Sequence, residues 1–238
     1  PNRVVFQPME GCDCNLDGSP SELTIRKYMK FAQGQGGIIW FEANGVCPEG
    51  LTGPRQMRLT KENLDSFKKL VEDVRETAMK TTGTNPVLIL QLTHSGRQSI
   101  VPMIAYRHPI YEEKRPVTDE NIVTDEYLDS LPENYCVSTR LAEEAGFDGI
   151  DVKACHGYLL SEAFSAYTRE GKYGGSFENR TRLYRNFFEA AKQTKKADTL
   201  LSARLGLCDM VAKPNGFATD ENGNPDLTES VKLVTDLA

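Results

Sequence analysis

The chain has 238 residues and a formal net charge of −6, with 39% hydrophobic and 26% charged residues. This balance is ordinary for a folded globular domain and excludes a disordered chain. No basic run could follow a nucleic-acid backbone, and no apolar stretch approaches the roughly 18 residues that a membrane span requires. We therefore expect a small-molecule substrate, no nucleic-acid or membrane partner and a cytoplasmic location, and we leave a homo-oligomer open.

The cysteines give no sign of a metal or disulfide framework. They are Cys12, Cys14, Cys47, Cys136, Cys155 and Cys208. None forms a C-x-x-C pair, and their density is far below that of a disulfide scaffold. We predict six free thiols and no metal site. The functional alternative is Cys155, which lies beside ionisable residues and could contact a ligand.

Strand-like and helix-like segments alternate along the chain, which predicts parallel strands joined by helical crossovers. The predicted strands are residues 3–7, 37–41, 87–92, 149–152 and 200–205. Apolar side chains recur at helical spacing over residues 25–32, 64–78 and 177–191. Ser176 is the predicted N-cap of the third of these helices. A further helix is predicted at the end of the chain, in LTESVKLVTDLA.

The segment 99–129 differs from the rest because it carries three prolines and shows no periodicity. It follows the third predicted strand, so in a barrel it would be an enlarged loop at the carboxyl ends of the strands. We predict a partial lid, with a disordered excursion as the alternative. His108 within it is predicted to be exposed.

The most informative stretch is residues 146–185. A short strand, GIDV, is followed by Lys153, His156 and Tyr158, and a glycine-rich turn then opens a long amphipathic helix. The order His-Gly-Tyr-Leu-Leu, an Arg, and then Tyr-Gly-Gly-Ser-x-Glu-Asn-Arg resembles the fourth strand and following loop of the old yellow enzyme family of FMN-dependent oxidoreductases. Active sites of barrel enzymes lie at such strand ends.

The resemblance implies an α/β fold, the TIM (β/α)8 barrel, of which this chain holds about the first five units. Residues 1–238 would form a single FMN-binding domain that is truncated at its C-terminal side, and the resemblance is incomplete at both ends because the short N-terminal hairpin usual in the family is missing too. The family fixes the FMN phosphate with loops after the later strands, which we expect to lie outside this chain. We also expect the isolated chain to aggregate readily and to retain little FMN, because edges of the partial barrel would be exposed.

The same resemblance assigns residues near the flavin on the first two strands. The turn Pro8-Met9-Glu10 matches the family's turn whose backbone touches the flavin. The family usually has Thr, Cys or Ala at the third position, so Glu10 is a departure. Ala43 matches the small residue on strand two that lets the ring lie close.

Two polar residues on later strands match the family's contacts to the flavin ring. Gln91, in QLTHSGRQ, matches the glutamine at the pyrimidine edge, where an amide can both donate and accept. Arg204, in LSARLG, matches the arginine beside N1 and O2, where a permanent cation stabilises the charge that arrives on reduction.

The substrate-binding positions of strand four contain a second departure. The family presents a His, then a His or Asn that helps to grip the substrate, and then a Tyr that protonates it. Here His156 and Tyr158 are kept, whereas Lys153 replaces the first His. Lys153 can still donate to a carbonyl oxygen, but as a point charge it could also favour an anionic acceptor. If Glu10 and Lys153 meet, the cation can compensate the carboxylate; an ordinary salt bridge, or no contact, is the alternative.

Residues elsewhere in the motifs are assigned to the shape of the site. His94 and Arg97, after strand three, fit the catalytic face. Two roles remain open for His94, which are contact with a ligand and structural hydrogen bonding. Tyr173 and the following glycines are expected to shape the loop, and Asn179 with Arg180 to hold it in place.

The leading hypothesis is therefore an oxidoreductase that takes hydride from NADH or NADPH onto FMN and reduces an electron-poor alkene or related acceptor. Catalysis would use Tyr158, His156 and Lys153. An amine-oxidising relative and a barrel-derived binding protein without redox turnover are the alternatives. Whether an iron-sulfur cluster is present outside this chain stays open.

Overall fold

The computed structural model describes residues 2–238, and its centre is a parallel sheet of five strands in chain order, β1-β2-β3-β4-β5. The strands are β1 (Val5–Phe6), β2 (Ile38–Gly45), β3 (Val87–Thr93), β4 (Gly149–Ala154) and β5 (Leu200–Leu205). The predicted α/β sheet of a partial barrel is confirmed. β1 is shorter than predicted, because only two of its residues pair with β2.

Seven helices connect or follow the strands in the described residues. They are α1 (Glu22–Gln33), α2 (Leu64–Thr82), α3 (Pro109–Glu112), α4 (Asp125–Ala145), α5 (Leu159–Phe164), α6 (Phe177–Thr194) and α7 (Thr228–Leu237). Neighbouring helices pack in the order α1, α2, α4, α6 and α7. The apolar stripes predicted α1, α2 and α6, and Ser176 caps α6 as predicted by accepting from the Asn179 amide at 3.3 Å.

Aromatic side chains fill the space between helices and sheet. Tyr28 of α1 stacks on Phe41 of β2 with ring centroids 3.9 Å apart. Tyr135 of α4 stacks on Phe187 of α6 at 4.2 Å. These rings are fully buried, so each helix is held to the sheet or to its neighbour by apolar contact.

The segment predicted to be irregular packs closely onto the ends of the strands. His108 is 0% exposed, so the prediction that it is exposed was wrong. Its Nδ1 caps α3, its Nε2 lies 2.9 Å from the carbonyl oxygen of Asn215, and its ring stacks on Tyr111. Burial is therefore accompanied by polar partners for both ring nitrogens. Tyr111 in turn lies beside Gly157, so this segment borders the end of β4.

A buried ion pair joins the turn after β3, which leads into this segment, to α5. Arg97 and Glu162 are 1% and 2% exposed, and two guanidinium nitrogens of Arg97 donate to the carboxylate of Glu162 at 2.8 and 3.2 Å. Glu162 also accepts from the backbone amide of Ala105. Removing one partner would leave a buried charge without compensation, which is strongly destabilising.

Over residues 2–238, the structure has no helix that combines the length and the apolar character needed to cross a membrane. All six cysteines are free thiols in this structure, as predicted.

His94 has a structural place at the end of β3. Its Nε2 lies 2.9 Å from the hydroxyl of Tyr127, its Nδ1 accepts from the amide of Gly96, and the ring is 1% exposed. Burial lowers the pKa of His94 to about 4. Of the two roles left open for it, the contacts favour structural hydrogen bonding.

This geometry predicts an acid-sensitive step in stability. Between pH 6.5 and 4 the unfolded chain protonates His94 whereas the folded chain does not, so the contribution of His94 to the free energy of unfolding falls by about 3 kcal/mol as pH drops through that window. The variant His94→Asn should lose less stability over the same range, as measured by urea denaturation at pH 7 and pH 4.5. Equal losses in both proteins would contradict the assignment.

Candidate active site

The first part of the site is a polar row across three neighbouring strands. Gln91 of β3, Asp151 of β4 and Ser202 of β5 are register partners. The Gln91 amide nitrogen donates to Asp151 at 2.7 Å, and the Ser202 hydroxyl donates to the other carboxylate oxygen at 3.3 Å. Burial raises the pKa of Asp151 to about 6. Asp151 thereby fixes which way the amide of Gln91 points.

Several polar side-chain atoms at this end of the sheet, Thr93 Oγ1 and Ser95 Oγ among them, are buried without a hydrogen-bond partner among residues 2–238. Two of them belong to residues predicted to contact the flavin: Oε1 of Gln91, an acceptor, and Nη1 of Arg204, a donor. Buried polar atoms are normally paired, so an unpaired acceptor and an unpaired cationic donor indicate a ligand with complementary groups. The pyrimidine edge of a flavin fits this pair, because its N–H group can donate to Gln91 and its carbonyl group can accept from Arg204.

The second part of the site is a cluster of Glu10, Lys153 and Tyr158. The hydroxyl of Tyr158 donates to Oε2 of Glu10 at 2.8 Å, and Nζ of Lys153 lies 3.5 Å from the same oxygen. The ammonium also lies 3.7 Å from the centroid of the Tyr158 ring. The two departures from the family pattern, Glu10 and Lys153, therefore meet.

Residues that the sequence did not single out hold this cluster in place. Thr52, in the loop after β2, donates to Oε1 of Glu10 at 2.8 Å. The buried Glu42 of β2 accepts from the amide of Gly11 at 2.7 Å and from Lys27 at 2.6 Å. The turn after β1 is thus tied to β2 by a carboxylate. The signal for Glu42 was present as a charged residue inside the apolar strand IIWFEAN.

The electrostatics of the cluster follow from burial and from Glu10. The pKa of Tyr158 is raised, first by burial and then by the neighbouring carboxylate of Glu10. Burial lowers the pKa of Lys153, and Glu10 opposes that change. Burial also raises the pKa of Cys155, which keeps its thiol protonated. Cys155 therefore lacks the thiolate character of a reactive cysteine.

His156 occupies a different position from Lys153. It is exposed and lies in the left-handed region at φ +64°. Burial lowers its pKa, and the charges of Lys153 and Arg204 lower it further. His156 is thus favoured as a neutral imidazole that can donate from one ring nitrogen.

The remaining predicted residues lie at the same end of the sheet. Pro8 is buried, whereas Met9 has a 68% exposed side chain. Ala43 is fully buried where the pairing of β2 with β3 shifts register. Arg204 pairs in register with Lys153. The carboxyl end of the sheet therefore brings the predicted residues together.

Of the two residues predicted to hold the loop after β4, Arg180 contacts its neighbours, whereas the side chain of Asn179 accepts from Arg182 of the same helix. Arg180 donates to the carbonyl oxygen of Gly175 at 2.9 Å and contacts the carbonyl oxygen of Phe164, and it pairs with Glu229 at 2.6 Å. The part of the chain that the structure describes contains no group of three or more His, Cys, Asp or Glu side chains that could hold a metal ion.

Comparison with known proteins decides the family. Residues 1–232 match the model of the NADH:flavin oxidoreductase / NADH oxidase family. The chain belongs to this family. It is 32% identical to an NADPH dehydrogenase of Bacillus subtilis (strain 168) over 81% of this chain, and 31% identical to an NADPH dehydrogenase of Bacillus pumilus (strain SAFR-032) over 89%. The matches span 56% and 61% of those relatives' lengths.

Solved structures agree on the fold. The old yellow enzyme from Pichia sp. AKU4542 superposes with a TM-score of 0.82 at 22% identity, covering 99% of this chain and 63% of that chain. A 2-naphthoyl-CoA reductase in complex with 2-naphthoyl-CoA gives a TM-score of 0.82 at 22% identity, covering 99% of this chain and 36% of that chain. At these identities the likeness shows the shared barrel fold.

The ion pair at the centre of the cluster predicts how Lys153 responds when its partner changes. The variant Glu10→Gln should lower the pKa of Lys153 further, because the buried ammonium loses its compensating carboxylate. The lysine ¹³Cε resonances followed by NMR during a pH titration measure this. Glu178→Gln, at the exposed start of α6, serves as the control and should leave the Lys153 signal in place. A Lys153 titration unchanged by Glu10→Gln would show that the pair does not form.

Proposed function

We propose that the protein containing this chain is an FMN-dependent reductase that uses NAD(P)H to reduce an electron-poor alkene or related acceptor. The observation that carries the proposal is the pair of buried, unpaired atoms on Gln91 and Arg204 beside the cluster of Glu10, Lys153 and Tyr158. Family membership supports the cofactor and the reductant. The NADPH dehydrogenases among the relatives support NADPH in particular.

The residues that would hold FMN are those at the carboxyl end of the sheet. Gln91, oriented by Asp151, would accept from the ring N–H, and Arg204 would donate to the neighbouring carbonyl. Ala43 would leave room for the flat ring, and the Pro8-Met9-Glu10 turn would border it. FMN supplies the hydride chemistry when bound, because it can take a hydride from a nicotinamide and give one to an acceptor.

The charges of the cluster favour an uncharged acceptor. Lys153 is already paired with Glu10 and is 3% exposed, so its positive charge is not available to attract an anion. This weakens the option of an anionic acceptor that a strand-end lysine suggests. His156, which is exposed next to the cluster, would donate a hydrogen bond to the acceptor's carbonyl oxygen.

Tyr158 would complete the reduction as the proton donor. Its raised pKa keeps the phenol protonated at neutral pH, so it can deliver a proton to the acceptor's carbon while the other end of the double bond receives the hydride. The hydrogen bond to Glu10 fixes the position of the hydroxyl.

A second candidate is the reverse use of the same residues, in which the site oxidises an amine. The observation in its favour is that the Tyr158 hydroxyl donates to a carboxylate, an arrangement that also suits accepting a proton from a substrate. Half-reactions with a tertiary amine and with a cyclic enone, measured in the same preparation, separate the two candidates.

The proposal predicts the behaviour of the purified flavoprotein. It should show a flavin absorbance spectrum that NADPH bleaches and a cyclic enone restores, as followed by anaerobic stopped-flow spectroscopy. Tyr158→Phe should keep the bleaching step and slow the restoring step by roughly 100-fold, the contribution expected of a positioned general acid. A protein without flavin would refute the redox proposal, and equal slowing of both steps would make Tyr158 structural.

Tyr173→Phe provides a matched control for this substitution. The hydroxyl of Tyr173 donates to Asp129 at 2.5 Å, so the change also removes a tyrosine-carboxylate hydrogen bond. That bond joins the loop after β4 to α4 and involves no residue of the cluster. Both half-reactions should therefore keep the rates of the unmodified protein.

A further inference from the structure

The proposed reaction consumes the hydroxyl proton of Tyr158, and that proton must be replaced. Its hydroxyl proton points to the carboxylate of Glu10. If Tyr158 gives its proton to the acceptor, the resulting phenolate faces that carboxylate at 2.8 Å, and two like charges at this distance repel each other. A proton must therefore reach Tyr158 as its own proton leaves.

The geometry around Glu10 offers a route for that proton. Oε2 of Glu10 bridges the Tyr158 hydroxyl, at 2.8 Å, and the Lys153 ammonium, at 3.5 Å. The first distance is within hydrogen-bonding range, and the second must shorten for transfer, as is common for apo sites. Thr52 holds the other oxygen at 2.8 Å, so the carboxylate is fixed between the two groups.

Lys153 and Glu10 differ in their access to solvent. The side chain of Lys153 is 3% exposed, whereas that of Glu10 is 16% exposed. Lys153 therefore cannot exchange protons directly with bulk water, but Glu10 can. The carboxylate thus connects Lys153 to solvent.

We propose that Lys153 and Glu10 form a proton relay behind Tyr158, an inference that rests on the proposed reduction of an acceptor. The O–H bond of Tyr158 breaks as its proton forms the new C–H bond, and the hydride comes from the NAD(P)H-reduced flavin. Glu10 passes a proton from the ammonium of Lys153 to the phenolate oxygen. Lys153 is left as a neutral amine, and Glu10 later returns a proton to it from solvent.

A lysine suits this role better than the arginine at the strand ends, Arg204. Burial lowers the pKa of Lys153, so its ammonium gives up a proton more readily than an exposed lysine does. An arginine stays protonated in proteins. The other ionisable groups that face the relay are Asp151 of β4, Arg204 of β5, Cys155 and His156 after β4, and Cys12 after β1.

Two variants test the relay, because each keeps the charge or the shape of a side chain and removes its ability to transfer a proton. Lys153→Arg keeps the cation but cannot release a proton, and Glu10→Gln keeps the shape but cannot relay one. Each should slow the acceptor half-reaction by about 100-fold, and by far more than it slows the reduction of the flavin by NADPH. The slowed step should lose its dependence on pH and show a larger solvent deuterium isotope effect.

Chemical rescue by acetate tests separately whether the reaction needs a carboxylate at the position of Glu10. Glu10→Ala leaves a space beside Tyr158, so acetate should restore much of the acceptor half-reaction. Glu10→Gln fills that space and should not respond to acetate. Ultraviolet titration of the tyrosines, which needs neither flavin nor turnover, should show a lower pKa for Tyr158 in both Glu10 variants, because the neighbouring charge is gone.

The outcomes separate this inference from the proposed function. If the unmodified protein holds no flavin or reduces no enone, the proposed function fails. If it reduces the enone and Lys153→Arg does so equally fast, Lys153 is a structural cation and the relay is refuted. Should Lys153→Arg fail to fold, the acetate series decides, and the absence of rescue in Glu10→Ala would also refute the relay.

Discussion

The in-register pairing of β3, β4 and β5 is the constraint on which the site depends. It places Asp151 between Gln91 and Ser202, and Lys153 beside Arg204, on rows two residues apart along β4. Side chains in a strand alternate between faces, so a slip by one residue would send both rows to the opposite face of the sheet. Val152 of β4 and Leu92 of β3, which alternate with these rows, are buried, so such a slip is costly and the polar residues are fixed as well.

The buried charge of Lys153 needs an opposite charge, and the carboxylate that supplies it follows a strand that is not adjacent to β4. Lys153 lies on β4, whereas Glu10 follows β1, three strands away in the sheet order. The sheet must therefore curve for the two to meet, as in a barrel. With Arg204 and Asp151 counted, two cations face two carboxylates, which limits the penalty of burying each one. Glu42, which anchors the turn that carries Glu10, extends this balance to β2.

The sequence predicted the strands, their order and the strand-end residues, because period-two and helical apolar patterns and a dense motif are local signals. It did not predict the contacts of Glu42, Asp151 and Thr52, because their partners come from other elements. It missed helix α4, which begins inside the segment predicted to be irregular and contains Pro132. The burial of His108 was missed because it depends on Asn215, more than 100 positions away in the chain.

The two departures from the family pattern gain their meaning only as a pair. A carboxylate alone at the position of Glu10 would stand unpaired next to Tyr158, and a lysine alone at position 153 would be a buried cation without a partner. Each would be costly separately. Together they neutralise each other and leave the exposed His156 as the donor that can face an acceptor. In the reaction proposed above, binding of the acceptor by His156 and supply of the proton through Tyr158 would fall to different side chains, so that one could be changed without loss of the other.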